Sequence, residues 1–232
     1  MRIVLYGFEP FGGEAINPSQ LVARALDGAQ IGGAQIVGHV LPVETGSLPA
    51  RLQGILQSEP PTAILGLGQA GGSPSLAVER IAVNVLESTI PDNQGYQGKG
   101  EAIREEGPAG LLSTLPATEI LEHWRASAIP GYLSNSAGTF CCNQGLYETL
   151  AWARERDKAL PVGFIHLPYL PGQAAEHDPA RTPSMALDTM KKGVELAIET
   201  IIANQRRRVE EASKGAEEPK RTKGELWIPR GR

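Results

Sequence analysis

Three side chains in this sequence have the types and settings that nucleophilic catalysis requires. Cys142 lies where a loop at residues 136–140 meets a predicted helix, and the positive end of a helix dipole favours the thiolate form of a cysteine. His166 lies near the end of an apolar segment, where it could serve as the general base. Glu79 interrupts an apolar run at residues 76–83 and could hold an imidazole in its productive tautomer.

Each of these residues also has a purely structural interpretation. Cys142 could be a small buried apolar side chain, which is a common fate of free cysteines. His166 could be a core histidine that is hydrogen-bonded to the backbone. Glu79 could pair with Arg80 or with a more distant base, because an isolated buried carboxylate is costly. Position alone leaves these alternatives open.

The glycine-rich loops at residues 7–13 and 66–72 offer a different interpretation, that of an α/β enzyme handling a nucleoside or a phosphate. Neither loop matches the GxGxxG pattern in a strand–turn–helix setting, and neither matches the Walker pattern. Glycines at strand ends more often permit tight turns. The histidines and the two cysteines lack the spacing of metal ligands, so we predict no metal site.

Short apolar runs alternate with helical patterns along the chain. The predicted strands are residues 2–7, 35–43, 63–67 and 161–167, with an extended segment at 76–86. The predicted helices are residues 17–27, 47–58, 142–156 and 183–203, and residues 91–108 are predicted to form a long surface loop. This alternation predicts a single α/β domain with a largely parallel twisted sheet and helices on both faces.

In such a sheet, ligands bind beyond the carboxyl ends of the strands. This rule places the candidate site at residues 7–13, at residues 68–72 and at the segment that follows Ile165. His166, which directly follows Ile165, is therefore expected to lie at this edge of the sheet.

Charge divides the chain of 232 residues into two parts. The whole chain carries a net charge of −4, whereas residues 205–232 contain nine Lys/Arg and five Glu. We therefore predict an α/β domain at residues 1–204 and a charged, flexible C-terminal tail at residues 205–232. An acidic domain does not indicate a nucleic-acid partner.

The cysteines and the N-terminus indicate the compartment. Cys141 and Cys142 are adjacent, and sequence neighbours rarely form a structural disulfide, so the chain is typical of a reducing environment. The N-terminal apolar run is too short for a signal peptide, and no stretch approaches the length of a membrane span. We expect a cytoplasmic protein without membrane association.

Four motifs in this order resemble those of the pyroglutamyl peptidase I (pyrrolidone-carboxylate peptidase) family. They are residues 7–13 with 17–19, residues 68–72 with 78–84, residues 136–140 with 142–143, and residues 164–169 with Pro171 and Gln173. The resemblance runs from about residue 2 to residue 203. It implies a single-domain α/β fold, no cofactor, peptides with an N-terminal pyroglutamyl residue as substrates, and assembly as a homotetramer.

The resemblance also assigns roles to particular residues. Cys142 would be the nucleophile, His166 the general base and then the general acid, and Glu79 the residue that orients His166. The substrate pocket would be lined by Phe8, Phe11, Gln69, Ile90 and Cys141, although loop packing is an alternative role for the two phenylalanines.

Several positions depart from the family pattern, and Thr89 bears most directly on the function. Thr89 stands where the family usually has Arg. This departure motivates an alternative to peptidase activity, namely a catalytically altered member that binds a pyroglutamyl or another small cyclic ligand.

Overall fold

The computed structural model describes residues 1–156 and 159–217, and it contains strands and helices in alternation. The strands are β1 (Arg2–Phe8), β2 (Gln30–Ile31), β3 (Ala34–Leu41), β4 (Ala63–Gln69), β5 (Leu76–Glu79), β6 (Ile81–Val83), β7 (Leu86–Glu87), β8 (Lys99–Glu101), β9 (Gly110–Leu112), β10 (Gly131–Ser134) and β11 (Val162–Leu167). The helices are α1 (Pro18–Leu26), α2 (Leu48–Ser58), α3 (Ala117–Ala126), α4 (Cys141–Arg156), α5 (Pro171–Glu176) and α6 (Leu187–Glu217).

Seven strands form one sheet in the order β10-β5-β11-β4-β1-β3-β2. Its centre is parallel, because β11, β4, β1 and β3 run in one direction. β5 pairs antiparallel with β11, and β10 pairs parallel with β5. The largely parallel sheet is confirmed, with the correction that its β5–β10 edge and the short β2 run the opposite way.

Each face of the sheet is covered by helices, as the alternation predicted. Strand residues of one parity, such as Ile3 and Leu5, join a buried apolar cluster that includes Val22 of α1 and Val194 of α6. Residues of the other parity, such as Val4, join a second cluster with side chains of α2 and α4. The period of two along a strand therefore sends alternate side chains into two separate cores.

The extended segment at residues 76–86 is divided among three sheets. β5 joins the main sheet, β6 pairs with β9, and β7 pairs with β8. β8 lies inside the predicted surface loop at residues 91–108, which is therefore not wholly irregular. Helices α3 and α5 were not predicted, and both are short, at 10 and 6 residues.

The last helix differs from its prediction at both ends. It begins at Leu187 rather than at residue 183, and it continues to Glu217, past the predicted domain boundary at residue 204. Gln205 donates to the carbonyl of Thr62 at 2.6 Å and Arg206 donates to that of Gly32 at 2.7 Å. These contacts hold the helix against the domain, so the first part of the predicted tail is helical. Residues 218–232 lie outside the described residues.

A helix that crosses a bilayer needs a long and predominantly apolar run of residues. Among residues 1–156 and 159–217, no helix combines the length and the apolar character needed to cross a membrane.

Candidate active site

Cys142 lies in the first turn of α4, where the N–H groups of a helix have no partners within the helix. Its side chain is partly exposed, and it packs against Gly68 near the end of β4. A Cβ atom placed on Gly68 would lie 2.6 Å from the Cys142 sulfur. The strand therefore approaches the thiol so closely that only glycine fits at position 68.

His166 and Glu79 form a buried hydrogen-bonded pair. The Nδ1 of His166 lies 2.8 Å from the Oε1 of Glu79, and the two residues are 8% and 2% exposed. They lie on neighbouring strands, since β11 pairs with β5, and both side chains project from the same face as diagonal neighbours. Glu79 thus bonds His166, and the pairing with Arg80 that the sequence left open is not what the described residues show.

The charge of Cys142 and hydrogen bonding set the protonation of His166. Burial alone would lower the pKa of His166, but the charge and the hydrogen bond of Cys142, followed by Glu79, raise this pKa to about 10. The imidazole can therefore bridge the two acidic partners, with Nδ1 on Glu79 and the other ring nitrogen toward Cys142. This arrangement favours the imidazolium form of His166.

Aromatic side chains hold the imidazole ring in place. Phe164, which is fully buried, packs edge-on against His166 with the ring centroids 5.0 Å apart. Phe164 in turn contacts the ring of Tyr6 at 6.1 Å. The rotation of the His166 ring is therefore restricted from the side of the core.

Asn143 anchors the nucleophile helix and carried no predicted role. Its Oδ1 accepts from the backbone N–H of Val83 at 2.9 Å, and its Nδ2 donates to the carbonyls of Val83 and Val85 at 2.8 and 3.1 Å. Asn143 is fully buried. A polar side chain directly after a candidate nucleophile was the signal that could have identified it.

The predicted pocket residues on two loops come together. The rings of Phe11 and Phe140 have centroids 6.2 Å apart, and both pack against the apolar cluster that contains Cys141. A Cβ atom on Gly12 would lie 3.2 Å from the Cδ1 of Ile90, so the loop that carries Phe11 contacts the Ile90 loop. Phe140 was missed as a pocket residue, although it is an aromatic side chain directly before the two cysteines.

Phe8, by contrast, lies inside the core. It is 2% exposed and packs edge-on against Tyr6 at 5.9 Å. Phe8 can therefore support the floor of the pocket from beneath. Cys141 is also 2% exposed, and burial, followed by the charges of Cys142 and Asp92, raises the pKa of its thiol. Cys141 thus remains a neutral thiol that contributes apolar surface.

The side chain of Gln69 lies on the opposite face of the sheet from Cys142. Along β4, Leu65 and Leu67 belong to the α1 and α6 side, whereas Gly68 faces Cys142. Gln69 has the parity of the two leucines, and its Oε1 accepts from Gln173 Nε2 at 2.8 Å. The structure therefore leaves the backbone of Gln69, rather than its side chain, next to the candidate nucleophile.

A cavity of about 560 Å³ lies elsewhere, beside Tyr147 and Arg104. None of the three candidate catalytic residues lines it. The described residues also contain no group of three or more His, Cys, Asp or Glu side chains placed to hold a metal ion. The chemistry that the structure supports is therefore centred on the thiol, imidazole and carboxylate of Cys142, His166 and Glu79.

Known proteins resemble this chain over most of its length. The sequence model of the pyroglutamyl peptidase family matches residues 1–204. The pyrrolidone-carboxylate peptidase of Treponema denticola is 42% identical over 207 residues, which cover 88% of this chain and 94% of that protein. The protein of the same name from Thermococcus kodakarensis is 40% identical over 201 residues, which cover 87% and 96%.

Solved structures give the same result at the level of the fold. The pyrrolidone carboxyl peptidase of Pyrococcus furiosus superposes with a TM-score of 0.86 at 37% identity and covers 88% of this chain and 99% of its own. That of Thermococcus litoralis has a TM-score of 0.86 at 37% identity, with coverage of 89% and 96%. This chain belongs to the pyroglutamyl peptidase family.

Proposed function

We propose that this pyroglutamyl peptidase removes an N-terminal pyroglutamyl residue from peptides by means of Cys142, His166 and Glu79. The observation that carries the proposal is that His166 bonds Glu79 while it interacts with Cys142 at the start of a helix. Nucleophile, base and orienting carboxylate are the three parts of a catalytic triad, and they are recognised by geometry.

The reaction proceeds through a covalent intermediate. The thiolate of Cys142 attacks the pyroglutamyl carbonyl carbon, and the electron pair of the carbonyl moves to its oxygen. Free N–H groups in the first turn of α4 can stabilise this oxyanion. When the tetrahedral adduct collapses, the C–N bond breaks and His166 donates a proton to the leaving amine. A thioester between the pyroglutamyl group and Cys142 remains.

Water then completes the cycle. His166, now neutral, accepts a proton from water as the oxygen attacks the thioester carbonyl. The C–S bond breaks, 5-oxoproline is released, and the thiolate–imidazolium pair is restored. Glu79 holds Nδ1 of His166 and stabilises the imidazolium.

The pocket suits the pyroglutamyl ring, which is small, uncharged and cyclic. Phe11, Phe140 and Ile90 supply apolar walls, and Cys141 supplies apolar surface beside the nucleophile. Such sites combine apolar walls with a few polar groups. The lactam N–H and C=O would find their partners in the backbone at the ends of the strands, including that of Gln69.

The test is cleavage of a fluorogenic pyroglutamyl amide, with the prolyl and alanyl amides as controls. We expect cleavage of the pyroglutamyl amide alone and its loss after treatment with a thiol alkylator. Cys142→Ser should abolish turnover, whereas the matched Cys141→Ser variant should retain most of it. Full activity in both variants would contradict the assignment of the nucleophile.

Thr89 motivates a second candidate function, ligand binding without turnover. Thr89 is exposed, and no described residue hydrogen-bonds its side chain. If the folded, reduced protein binds a pyroglutamyl ligand but does not cleave the amide, this candidate replaces the first. Restored cleavage in a Thr89→Arg variant would then identify Thr89 as the cause.

We also propose the division into a domain and a C-terminal tail, a cytoplasmic location and assembly as a homotetramer. All three come from the sequence and from family resemblance. Light scattering of the purified full chain tests the assembly, and a monomer at working concentration would contradict it.

A further inference from the structure

The amide of Gln173 joins three segments that surround the site. Gln173 lies in α5, seven residues after His166, and is 2% exposed. Its Nε2 lies 2.8 Å from the Oε2 of Glu14, 2.8 Å from the Oε1 of Gln69 and 3.2 Å from the carbonyl of Ile16. Three acceptors thus converge on one buried NH₂ group.

The oxygen of the Gln173 amide determines how the amide is oriented. The backbone N–H of Leu170 donates to the Oε1 of Gln173 at 3.0 Å. An amide oxygen can accept this bond and an amide nitrogen cannot, so the NH₂ group must face the three acceptors. Only an amide of this length satisfies both sides, because a carboxylate would bring acceptor against acceptor.

Glu14 transmits this contact to the substrate pocket. The backbone N–H of Glu14 donates to the carbonyl of Phe11 at 3.2 Å and closes the turn that carries Phe11. Gly12 and Gly13 occupy this turn with φ of 63° and 88°, values that favour glycine. Asn93 donates to the carbonyl of Pro10 at 3.1 Å on one side of this turn, and the side chain of Glu14 anchors the other side.

The second oxygen of Glu14 is held as well. The Nε2 of His177 lies 2.7 Å from the Oε1 of Glu14, and the ring of His177 stacks on Tyr169 at 5.0 Å. Tyr169 packs over Gly71, where a Cβ atom would lie 2.3 Å from the ring. Glu14 is therefore held from two directions by the segment that follows β11.

We propose that Gln173 is a positioning residue that holds the Phe11 turn, through the carboxylate of Glu14, in the geometry that receives the pyroglutamyl ring. It contacts neither the nucleophile nor the general base. Its role is to order the pocket wall before the substrate arrives, which lowers the cost of binding. This inference rests on the proposed function, because it assigns the Phe11 turn to the substrate pocket.

The test uses two substitutions of Gln173 in the full chain. Gln173→Ala removes both sides of the amide, whereas Gln173→Glu keeps the acceptor for Leu170 and replaces only the NH₂ group. We expect each variant to raise KM for the pyroglutamyl amide about tenfold with kcat changed by less than about threefold, since a buried bond to a charged group is lost. Gln205→Ala, which deletes a remote glutamine bonded to a backbone carbonyl, is the matched control and should leave KM unchanged.

A compensating substitution distinguishes the loss of the contact between Gln173 and Glu14 from a general loss of stability. In the double variant Glu14→Gln/Gln173→Glu, donor and acceptor exchange places across the contact between these two residues, whereas the carbonyl of Ile16 still faces a carboxylate. We therefore expect partial recovery, with a KM at least about threefold below that of Gln173→Glu, the pattern of two residues that are coupled. If Gln173→Glu alone does not unfold cooperatively, the KM of the double variant is compared directly with that of the wild type.

Binding of 2-pyrrolidone, the bare five-membered lactam, gives a readout that does not need turnover. Its inhibition constant should rise in Gln173→Glu by the same factor as KM. An unchanged KM and inhibition constant, a loss confined to kcat, or no recovery in the double variant would each overturn the inference. A wild type that cleaves nothing would instead refute the proposed function. The shift in Tm caused by 2-pyrrolidone, compared between the wild type and Gln173→Glu, would still test the role of Gln173.

Discussion

The reacting groups and the pocket walls are supported in different ways. Cys142, His166 and Glu79 lie on a helix and on two paired strands, where backbone hydrogen bonds set their spacing. Phe11 and Ile90 lie on loops, whose positions depend on side-chain hydrogen bonds. Regular secondary structure thus places the proposed reacting groups, and polar side chains place the proposed pocket walls.

This difference implies two kinds of kinetic defect. Damage to the strand and helix supports should lower kcat, because the reacting atoms must be held closely in the transition state. Damage to the loop supports should raise KM, because binding then pays for ordering the loop. The same fluorogenic assay measures both constants and can show where the distinction fails.

The largest expected effect comes from Glu79→Gln. An amide at this position can present its NH₂ group to Nδ1 of His166 and stabilise the wrong tautomer, so we expect kcat to fall about a thousandfold or more with little change in KM. Glu122→Gln, an exposed substitution on α3, is the control. A variant of Glu79 that retains wild-type kcat would remove it from the catalytic mechanism.

Asn143→Ala should have the next largest effect. The substitution removes three buried hydrogen bonds between the start of α4 and the segment around Val83. A small displacement of Cys142 should then lower kcat about a hundredfold. Asn204→Ala, which removes one bond to Glu119 on the far side of the domain, is the matched control. A rise in KM without a fall in kcat would contradict the division between the two supports.

Asp92→Asn tests the loop side. Asp92 is 5% exposed and accepts two bonds from Thr45 and one each from the N–H groups of Gln94 and Tyr96. Burial raises the pKa of Asp92, but these hydrogen bonds outweigh it and lower this pKa. An amide cannot accept at both ends, so the Ile90 loop should loosen and KM should rise about tenfold. A selective fall in kcat would show that this loop supports the reacting groups instead.

The smallest effect concerns stability and pH. The pKa of His166 is raised to about 10 by Cys142 and Glu79 against the effect of burial. A raised pKa in the folded state adds stability that is fully present below the unfolded value of about 6.5 and is lost as pH rises through about 10. The Tm should therefore fall over this range, and less steeply in Cys142→Ala. Each kcal/mol corresponds to about 2–4 °C for a chain of this size. Parallel curves of Tm against pH for the wild type and Cys142→Ala would contradict an ion pair between Cys142 and His166.

Local patterns predicted the elements around the site. The apolar run of β1 and the i, i+4 spacing of α2 are properties of neighbouring residues, and both elements formed within two residues of their predicted bounds. The helix α5 was missed because its 6 residues are too few to show a period, and α3 was missed because only Ile120 and Trp124 are buried along it. The helix α6 begins at Leu187, four residues after its predicted start.

The sequence by itself determined that this chain is an α/β protein with a thiol at a helix start and with the four motifs of the family. Only the tertiary structure decided that Glu79 reaches His166 from an antiparallel strand, that Gln69 turns away from Cys142, and that Gln173 holds Glu14. The physical reason is the distance along the sequence between the residues in contact. Strand and helix periodicity repeats within a few residues, whereas these contacts join residues 87 and 159 positions apart and exist only once the strands have paired.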